Sequence, residues 1–179
     1  MLHIGLISDT HIPSHIRDLP PAVFTLFKGL DLILHAGDIY AASVLDSLEQ
    51  VAPVYAAGGP TDPAQDARVK TVHLLELEGH LVGLTHDFPP PYNAQRHFRG
   101  PLGLVVRGHT HVASIEAVDG IPILNPGSAT VPGVSHRMDV PGNAMLLDLD
   151  GGSARVRLYQ LMPDGPQVRE EALLTLPLR

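Results

Sequence analysis

The chain has 179 residues, 44% hydrophobic and 17% charged, which predicts one folded domain over residues 1–179 rather than a disordered chain. Its net charge of −7 disfavours extended nucleic acid as a partner, and the absence of cysteine excludes disulfides, thiolate zinc sites and cysteine nucleophiles. No apolar run approaches the roughly 20 residues of a membrane helix, and the N-terminus lacks the pattern of a signal peptide. We therefore expect a soluble cytoplasmic protein that has no membrane partner.

The first third of the chain alternates predicted strands and helices. Residues 2–7, 32–34 and 53–57 are short apolar runs of strand length. Between them, residues 20–30 and 41–48 carry apolar side chains at helical spacing, and prolines open the first of these segments. Strand and helix in alternation predict βαβ units and a parallel sheet.

The rest of the chain is dominated by predicted strands. Two-residue Asp-Gly turns and close spacing favour antiparallel hairpins among them. Residues 92–99 follow three prolines and predict a short polar helix or loop, and the tail after Pro163 predicts a surface segment or an edge strand. The sequence thus predicts an α/β sandwich of two packed sheets with outer helices, its remaining strands lying at residues 72–77, 81–84, 104–106, 112–118, 121–124, 144–149 and 154–161.

Four of the apolar runs end in Asp or His. In open α/β sheets, ligands bind at the carboxyl ends of the strands, so these side chains are expected to converge on one site. The pairs Asp9/His11 and His109/His111 are two residues apart, and in an extended backbone both members of such a pair point to the same side. The candidate ligands are Asp9, His11, Asp38, His86, His109 and His111.

Two carboxylates and four imidazoles suit a transition metal better than Ca²⁺ or Mg²⁺. Six ligands exceed one tetrahedral site, so two metal ions about 3.5–4 Å apart and bridged by a carboxylate use them better. Such a pair lowers the pKa of a bridging water and generates hydroxide for in-line attack at phosphorus. Mn²⁺ is the favoured ion, with Fe, Co, Ni and Zn as alternatives.

Each motif taken alone also has a structural interpretation. Asp9-Thr10-His11 can be a turn closed by an Asx hydrogen bond. His35, three residues before Asp38, can support the site or be a satisfied loop histidine. For the other histidines we favour surface or core roles, namely His3, His15, His73, His80, His97 and His136.

Together the motifs resemble the calcineurin-like metallophosphoesterase superfamily, and within it the small prokaryotic YfcE-type phosphodiesterases. The ordered elements are Asp9-x-His11, Gly37-Asp38, His86 and Gly108-His109-x-His111, followed by an Asn-Pro-Gly-Ser turn at residues 125–128. The resemblance implies a sandwich of two mixed β-sheets flanked by helices. It also implies one metal ion on Asp9, His11, Asp38 and His111, and a second on Asp38, His86 and His109, with Asp38 bridging.

The chain departs from the family pattern on one side of this site. Pro60 stands where the family has an asparagine ligand, which weakens the second metal site unless water or Asp62 completes it. Thr61 replaces the histidine that protonates the leaving group in relatives, and Asp87 follows His86 where relatives often continue with Gly-His. No catalytic residue beyond the ligands is assigned.

Three functions remain open. The first is a metal-dependent phosphoesterase, with phosphodiesterase activity favoured. No aromatic platform for base stacking is present, which disfavours extended nucleic acid and leaves a nucleotide, a cyclic nucleotide or a small phosphodiester as substrate. The second is a non-catalytic binding module that keeps the fold, similar to the retromer scaffold subunit of the same superfamily. The third, a mononuclear cupin-like oxygenase, is disfavoured by the parallel βαβ start. Relatives often pair, so a homo-oligomer is compatible with the sequence.

Overall fold

Two mixed β-sheets lie face to face in the computed structural model, which describes residues 1–59, 61–99 and 102–177. The first sheet holds β1 (Leu2–Ile7), β2 (Leu32–His35), β3 (Val54–Ala57), β4 (Val69–Lys70), β10 (Asn143–Asp150), β11 (Ser153–Met162) and β12 (Gly165–Thr175). The second holds β5 (Val72–Leu77), β6 (His80–Thr85), β7 (Leu104–Val106), β8 (Ser114–Val118) and β9 (Ile121–Asn125). The helices are α1 (Pro21–Leu26), α2 (Ala42–Glu49) and α3 (Ala94–Phe98).

In the first sheet, β1 is the strand at which antiparallel pairing gives way to parallel pairing. On one side β1, β2, β3 and β4 run parallel, and on the other β10, β11 and β12 are antiparallel neighbours, in the order β12-β11-β10-β1-β2-β3-β4. The second sheet has the order β5-β6-β7-β9-β8, in which β6, β7 and β9 run parallel between antiparallel edges. The predicted class, a sandwich of two mixed sheets, is confirmed, and the tail after Pro163 forms an edge strand.

Alternate residues of the parallel strands enter different cores. Ile4, Leu6 and Leu34 pack between the two sheets against Leu84 and Val106. Ile7 and Ile33 point the other way, where side chains of α1 and α2 and of Phe27, just after α1, cover them, including Val23, Leu45 and Leu48. Because both faces of β1 and β2 are buried, their sequences read as continuous apolar runs rather than as alternation.

The outer face of the second sheet is covered by less helix. Val105 and Ile123 pack there against Phe88, Phe98 and Leu102. The layers therefore follow the order helix, sheet, sheet, helix, with α3 only five residues long. None of the described helices is long and apolar enough to cross a membrane.

The first helix is shorter than predicted. It ends at Leu26, since Phe27 has φ −89° and ψ 2°, and the chain then turns through Gly29 at φ +79° into β2. Leu30 still packs on the helix-side core, so the apolar pattern over residues 20–30 reports burial correctly but overstates the helix. The two-residue strand β4 was not predicted.

Candidate metal centre

The predicted ligands lie in loops just beyond the strand ends, and both sheets contribute to them. Asp9, His11 and Asp38 follow β1 and β2 of the first sheet, while His86, His109 and His111 follow β6 and β7 of the second. The carboxyl ends of strands from the two sheets thus meet at one edge of the sandwich.

Left-handed backbone, not extended strand, presents most of these side chains. Five of the six have positive φ between 47° and 72°, namely Asp9, His11, Asp38, His109 and His111. The expectation that each i, i+2 pair lies in extended backbone was therefore wrong, because β1 ends at Ile7 and β7 at Val106. Asp and His are among the non-glycine residues that adopt this conformation most readily, which suits them to such tight loops.

Asp9 is the most deeply buried carboxylate of the site. It is fully buried, and it accepts hydrogen bonds from Ser8 Oγ (2.5 Å) and from the backbone N–H of His109 (3.1 Å to Oδ2). Burial raises the pKa of Asp9 well above its ordinary value, despite those hydrogen bonds. A nearby cation would offset the cost of keeping this carboxylate charged.

Four of the predicted ligands form a compact cluster: Asp9, His11, Asp38 and His111, whose ligand atoms all lie within 4.8 Å of one another. His11 Nε2 is 3.1 Å from His111 Nε2 and 3.5 Å from Asp38 Oδ2. His111 Nε2 is 3.4 Å from Asp9 Oδ1. These four are the residues that the resemblance assigns to the first metal ion.

Hydrogen bonds to backbone carbonyls orient two of the imidazoles. His111 Nδ1 donates to Val131 O and His86 Nδ1 to Ala36 O, each at 2.8 Å, because a carbonyl oxygen can only accept. In the neutral ring, the Nε2 lone pair then faces a carboxylate oxygen: that of His111 faces Asp9 at 3.4 Å, and that of His86 faces Asp38 at 3.5 Å.

Two acceptors that face each other at this distance require a proton or a cation between them. Burial lowers the pKa of His111 and lowers that of His11 to about 4, so protonation of these rings is unfavourable. Neutral imidazoles held by carbonyls next to carboxylates are the donor set that divalent transition metals bind. The residues therefore fit a divalent ion.

Asp38 is the member of the cluster that also faces one of the other two histidines, His86. Its Oδ2 faces His11 at 3.5 Å, and its Oδ1 faces His86 at the same distance. The ring of His109 is exposed and lies 5.2 Å from that of His86, centroid to centroid. His86 and His109 are outside the compact cluster found among the described residues, and they line an open hollow together with Asp38, Tyr40, Thr61 and Asp87.

Pro60, on which the prediction of a weakened second site depends, lies outside the described residues. Its neighbour Gly59 approaches Asp38 so closely that an added Cβ would lie 2.7 Å from Oδ1 of Asp38. Asp62 is committed to the backbone, and the structure does not support it as a substitute ligand. Its Oδ2 accepts from the N–H groups of Asp38 and Gly59, both at 2.8 Å, and its Oδ1 from those of Ile39 (2.6 Å) and Tyr40 (3.0 Å).

His35 is a satisfied loop histidine, one of the two roles left open by the sequence. It is fully buried, its Nδ1 accepts from Gly37 N–H (3.1 Å), and its Nε2 therefore carries the proton that it donates to Thr10 Oγ1 (3.2 Å). Burial lowers the pKa of His35 to about 3. Ser128, in the Asn-Pro-Gly-Ser turn, donates to Asp9 O at 2.6 Å and accepts from Val131 N at 2.8 Å.

Two histidines without a motif also lie at the site. The ring of His136 stacks on that of His111, with centroids 4.1 Å apart and planes at 15°. The ring of His15 lies 5.5 Å from that of His11. Both come from loops that carry no spacing signal, so only the fold reveals them. By contrast, His73 and His80 are buried away from the site, as expected for core histidines.

Residues 2–152 match the sequence model of the calcineurin-like phosphoesterase superfamily domain. A probable metallophosphoesterase of Methanothermobacter thermautotrophicus is 39% identical over 153 residues, which cover 83% of this chain and 86% of that protein. A second probable metallophosphoesterase, from Methanocaldococcus jannaschii, is 36% identical over 135 residues, covering 72% and 69%. Among solved structures, Vacuolar Protein Sorting 29 from Cryptosporidium parvum superposes with a TM-score of 0.81 over 97% of both chains at 23% identity, a likeness of fold.

Proposed function

Because this chain belongs to the calcineurin-like phosphoesterase superfamily, we propose that it is a divalent-metal-dependent phosphoesterase and that small phosphodiesters are its substrates. One observation carries the proposal: the bare Nε2 atoms of His86 and His111 face carboxylate oxygens at 3.5 and 3.4 Å. That arrangement is unfavourable in a purely structural cluster, since a lone pair and a carboxylate oxygen that face each other repel unless a proton or a cation lies between them. It is favourable around dications.

Two sets of residues would hold the metal ions, which we take to be Mn²⁺. Asp9, His11, Asp38 and His111 form the first set, and Asp38, His86 and His109 form the second. When bound, a pair of dications supplies a water nucleophile of lowered pKa and neutralises charge on the phosphoryl group. Asp38 serves both sets, because each of its oxygens faces a different histidine.

The chain's own contribution is to hold these groups in place and to accept the substrate. The carbonyls of Ala36 and Val131 fix the orientation of His86 and His111, so little reorganisation is needed when a ligand arrives. The open hollow beside His86 and His109 is the side from which a phosphoester can reach the centre. Threonine at position 61 cannot protonate a leaving group, so good leaving groups such as p-nitrophenolate should be preferred.

The test is the hydrolysis of bis-p-nitrophenyl phosphate with added Mn²⁺ by wild type and Asp38→Asn. Losing the shared carboxylate should reduce turnover at least about 100-fold, and chelation should abolish it in the wild type. Asp139→Asn is the matched control, because Asp139 is an exposed partner of Arg137 outside the centre, and it should keep full activity. Unchanged turnover in Asp38→Asn would refute the proposal.

Elemental analysis of the same samples separates the remaining alternatives. Two ions per chain together with turnover support the binuclear phosphoesterase. One ion per chain with turnover indicates that the second site is weak, as the proline at position 60 suggests. Bound metal without turnover on a panel of phosphoesters would favour the non-catalytic binding module.

A further inference from the structure

Tyr40 has an unusual backbone conformation next to the metal centre. Its φ is +73°, a left-handed value that is rare for a bulky side chain. The conformation is enforced from outside, because the backbone N–H of Tyr40 donates to Asp62 Oδ1 at 3.0 Å. Residues whose strained backbone conformation is maintained by surrounding contacts occur most often at active sites and ligand-binding sites.

The side chain of Tyr40 connects the two halves of the centre. Its ring meets that of His11 edge-on, with centroids 4.8 Å apart and planes at 74°. The same side chain lines the hollow beside His86 and His109, and it remains partly exposed there. Any phosphoester that enters the hollow therefore passes the phenol.

The phenol is well prepared to donate a hydrogen bond. Thr61 hydrogen-bonds to the Tyr40 side chain, and a donation from the threonine hydroxyl to the phenol oxygen leaves the phenol O–H free. A phenol has an ordinary pKa of about 10, so it carries its proton at neutral pH. The other described side chains of the hollow include the carboxylates of Asp38 and Asp87, which can only repel a phosphate unless metal is bound.

We propose that the Tyr40 hydroxyl donates a hydrogen bond to a phosphoryl oxygen of the substrate in this hollow, and that Thr61 orients it. Tyr40 and Thr61 would together supply a hydrogen-bond donor to the substrate on the side of the centre where relatives have a histidine and this chain has Thr61. This inference rests on the proposed function, because it assigns a substrate contact at the same centre.

The test compares Tyr40→Phe with wild type in two measurements on the Mn²⁺-loaded protein: the Kd of inorganic phosphate by calorimetry, and kcat/KM for bis-p-nitrophenyl phosphate. Phenylalanine keeps the ring against His11 and removes only the hydroxyl. Tyr55→Phe is the matched control, since Tyr55 lies exposed on β3 beside His73, away from the centre. Unfolding temperature and bound metal per chain are recorded for all three proteins.

In Tyr40→Phe, phosphate affinity and kcat/KM should each fall roughly 10- to 100-fold, the loss expected for a hydrogen bond to a charged group, with the metal content unchanged. Values within about twofold of wild type would overturn the inference while leaving the proposed function intact. Loss of metal from Tyr40→Phe would also overturn it, because Tyr40 would then only support His11. If the wild type hydrolyses no ester, the proposed function fails, and phosphate affinity alone decides the role of Tyr40. A wild type that binds no phosphate also overturns that role.

Discussion

Replacing Asp62 by asparagine should destabilise the loop that carries Asp38. The carboxylate accepts four backbone N–H groups, two on each oxygen, from Asp38, Ile39, Tyr40 and Gly59. Asparagine has the same shape but offers one oxygen, so its NH₂ group faces two N–H donors that lose their acceptor. Each hydrogen bond to a charged acceptor contributes about 1.5–3 kcal/mol, and Asp62 is only half-buried, so we expect a net loss of about 3 kcal/mol.

Thermal unfolding in the presence of a chelator measures this loss without a contribution from bound metal. For a chain of this length, about 3 kcal/mol corresponds to a fall in Tm of roughly 6–12 °C. Asp139→Asn again serves as the control, because the exposed Arg137–Asp139 pair should leave Tm unchanged. An Asp62→Asn protein that melts at the same temperature as the wild type would show that these four hydrogen bonds do not hold the loop that carries Asp38 and Tyr40.

Two further predictions concern His35 and the glycine beside Asp38. Burial lowers the pKa of His35 in the folded protein to about 3, whereas the pKa in the unfolded chain is the ordinary value of about 6.5. As the pH falls, the unfolded chain therefore binds the proton first. The free energy of unfolding of the metal-free protein should then fall by about 2 kcal/mol between about pH 8 and about pH 5 because of this residue. Urea unfolding at both pH values should show a flatter dependence in His35→Gln, and an equal slope in the two proteins would contradict the assignment. Gly59→Ala would place a Cβ 2.7 Å from Asp38 Oδ1, so calorimetry should show Mn²⁺ affinity reduced roughly 10-fold or more. Gly152→Ala, where the added Cβ meets nothing within 4 Å, should bind Mn²⁺ as the wild type does, and equal affinity in both variants would argue against the crowding.

The strands were the most predictable part of the fold. Residues 2–7 and 104–106 form strands with the predicted bounds, because strands that are buried on both faces over most of their length leave an apolar run that ends where the chain reaches solvent or a polar site. The edge strand at residues 72–77 also has the predicted bounds. The convergence of Asp9, His11 and Asp38 could also be predicted, since side chains at the carboxyl ends of neighbouring strands meet at one edge of a sheet. His111 joins them from the second sheet, and its position depends on how the two sheets pack. Their role as metal ligands remains a prediction.

The backbone of the site could not be predicted in the same way. The i, i+2 spacing of Asp9 and His11 suits an extended strand as well as the left-handed loop that is observed, and the choice depends on distant partners such as Ser128. The role of Asp62 depends on hydrogen bonds to residues more than twenty positions earlier, which leave no periodic signal. His15 and His136 reach the centre only through the folding of their loops.

The centre draws three of its six side chains from each sheet. An ion bound there would cross-link the two sheets, because its ligands come from segments that are up to about a hundred positions apart along the chain. Because separating the sheets would release the ion, tighter metal binding would raise the free energy of unfolding. The concentration of free metal would then set both the stability of the folded protein and its turnover.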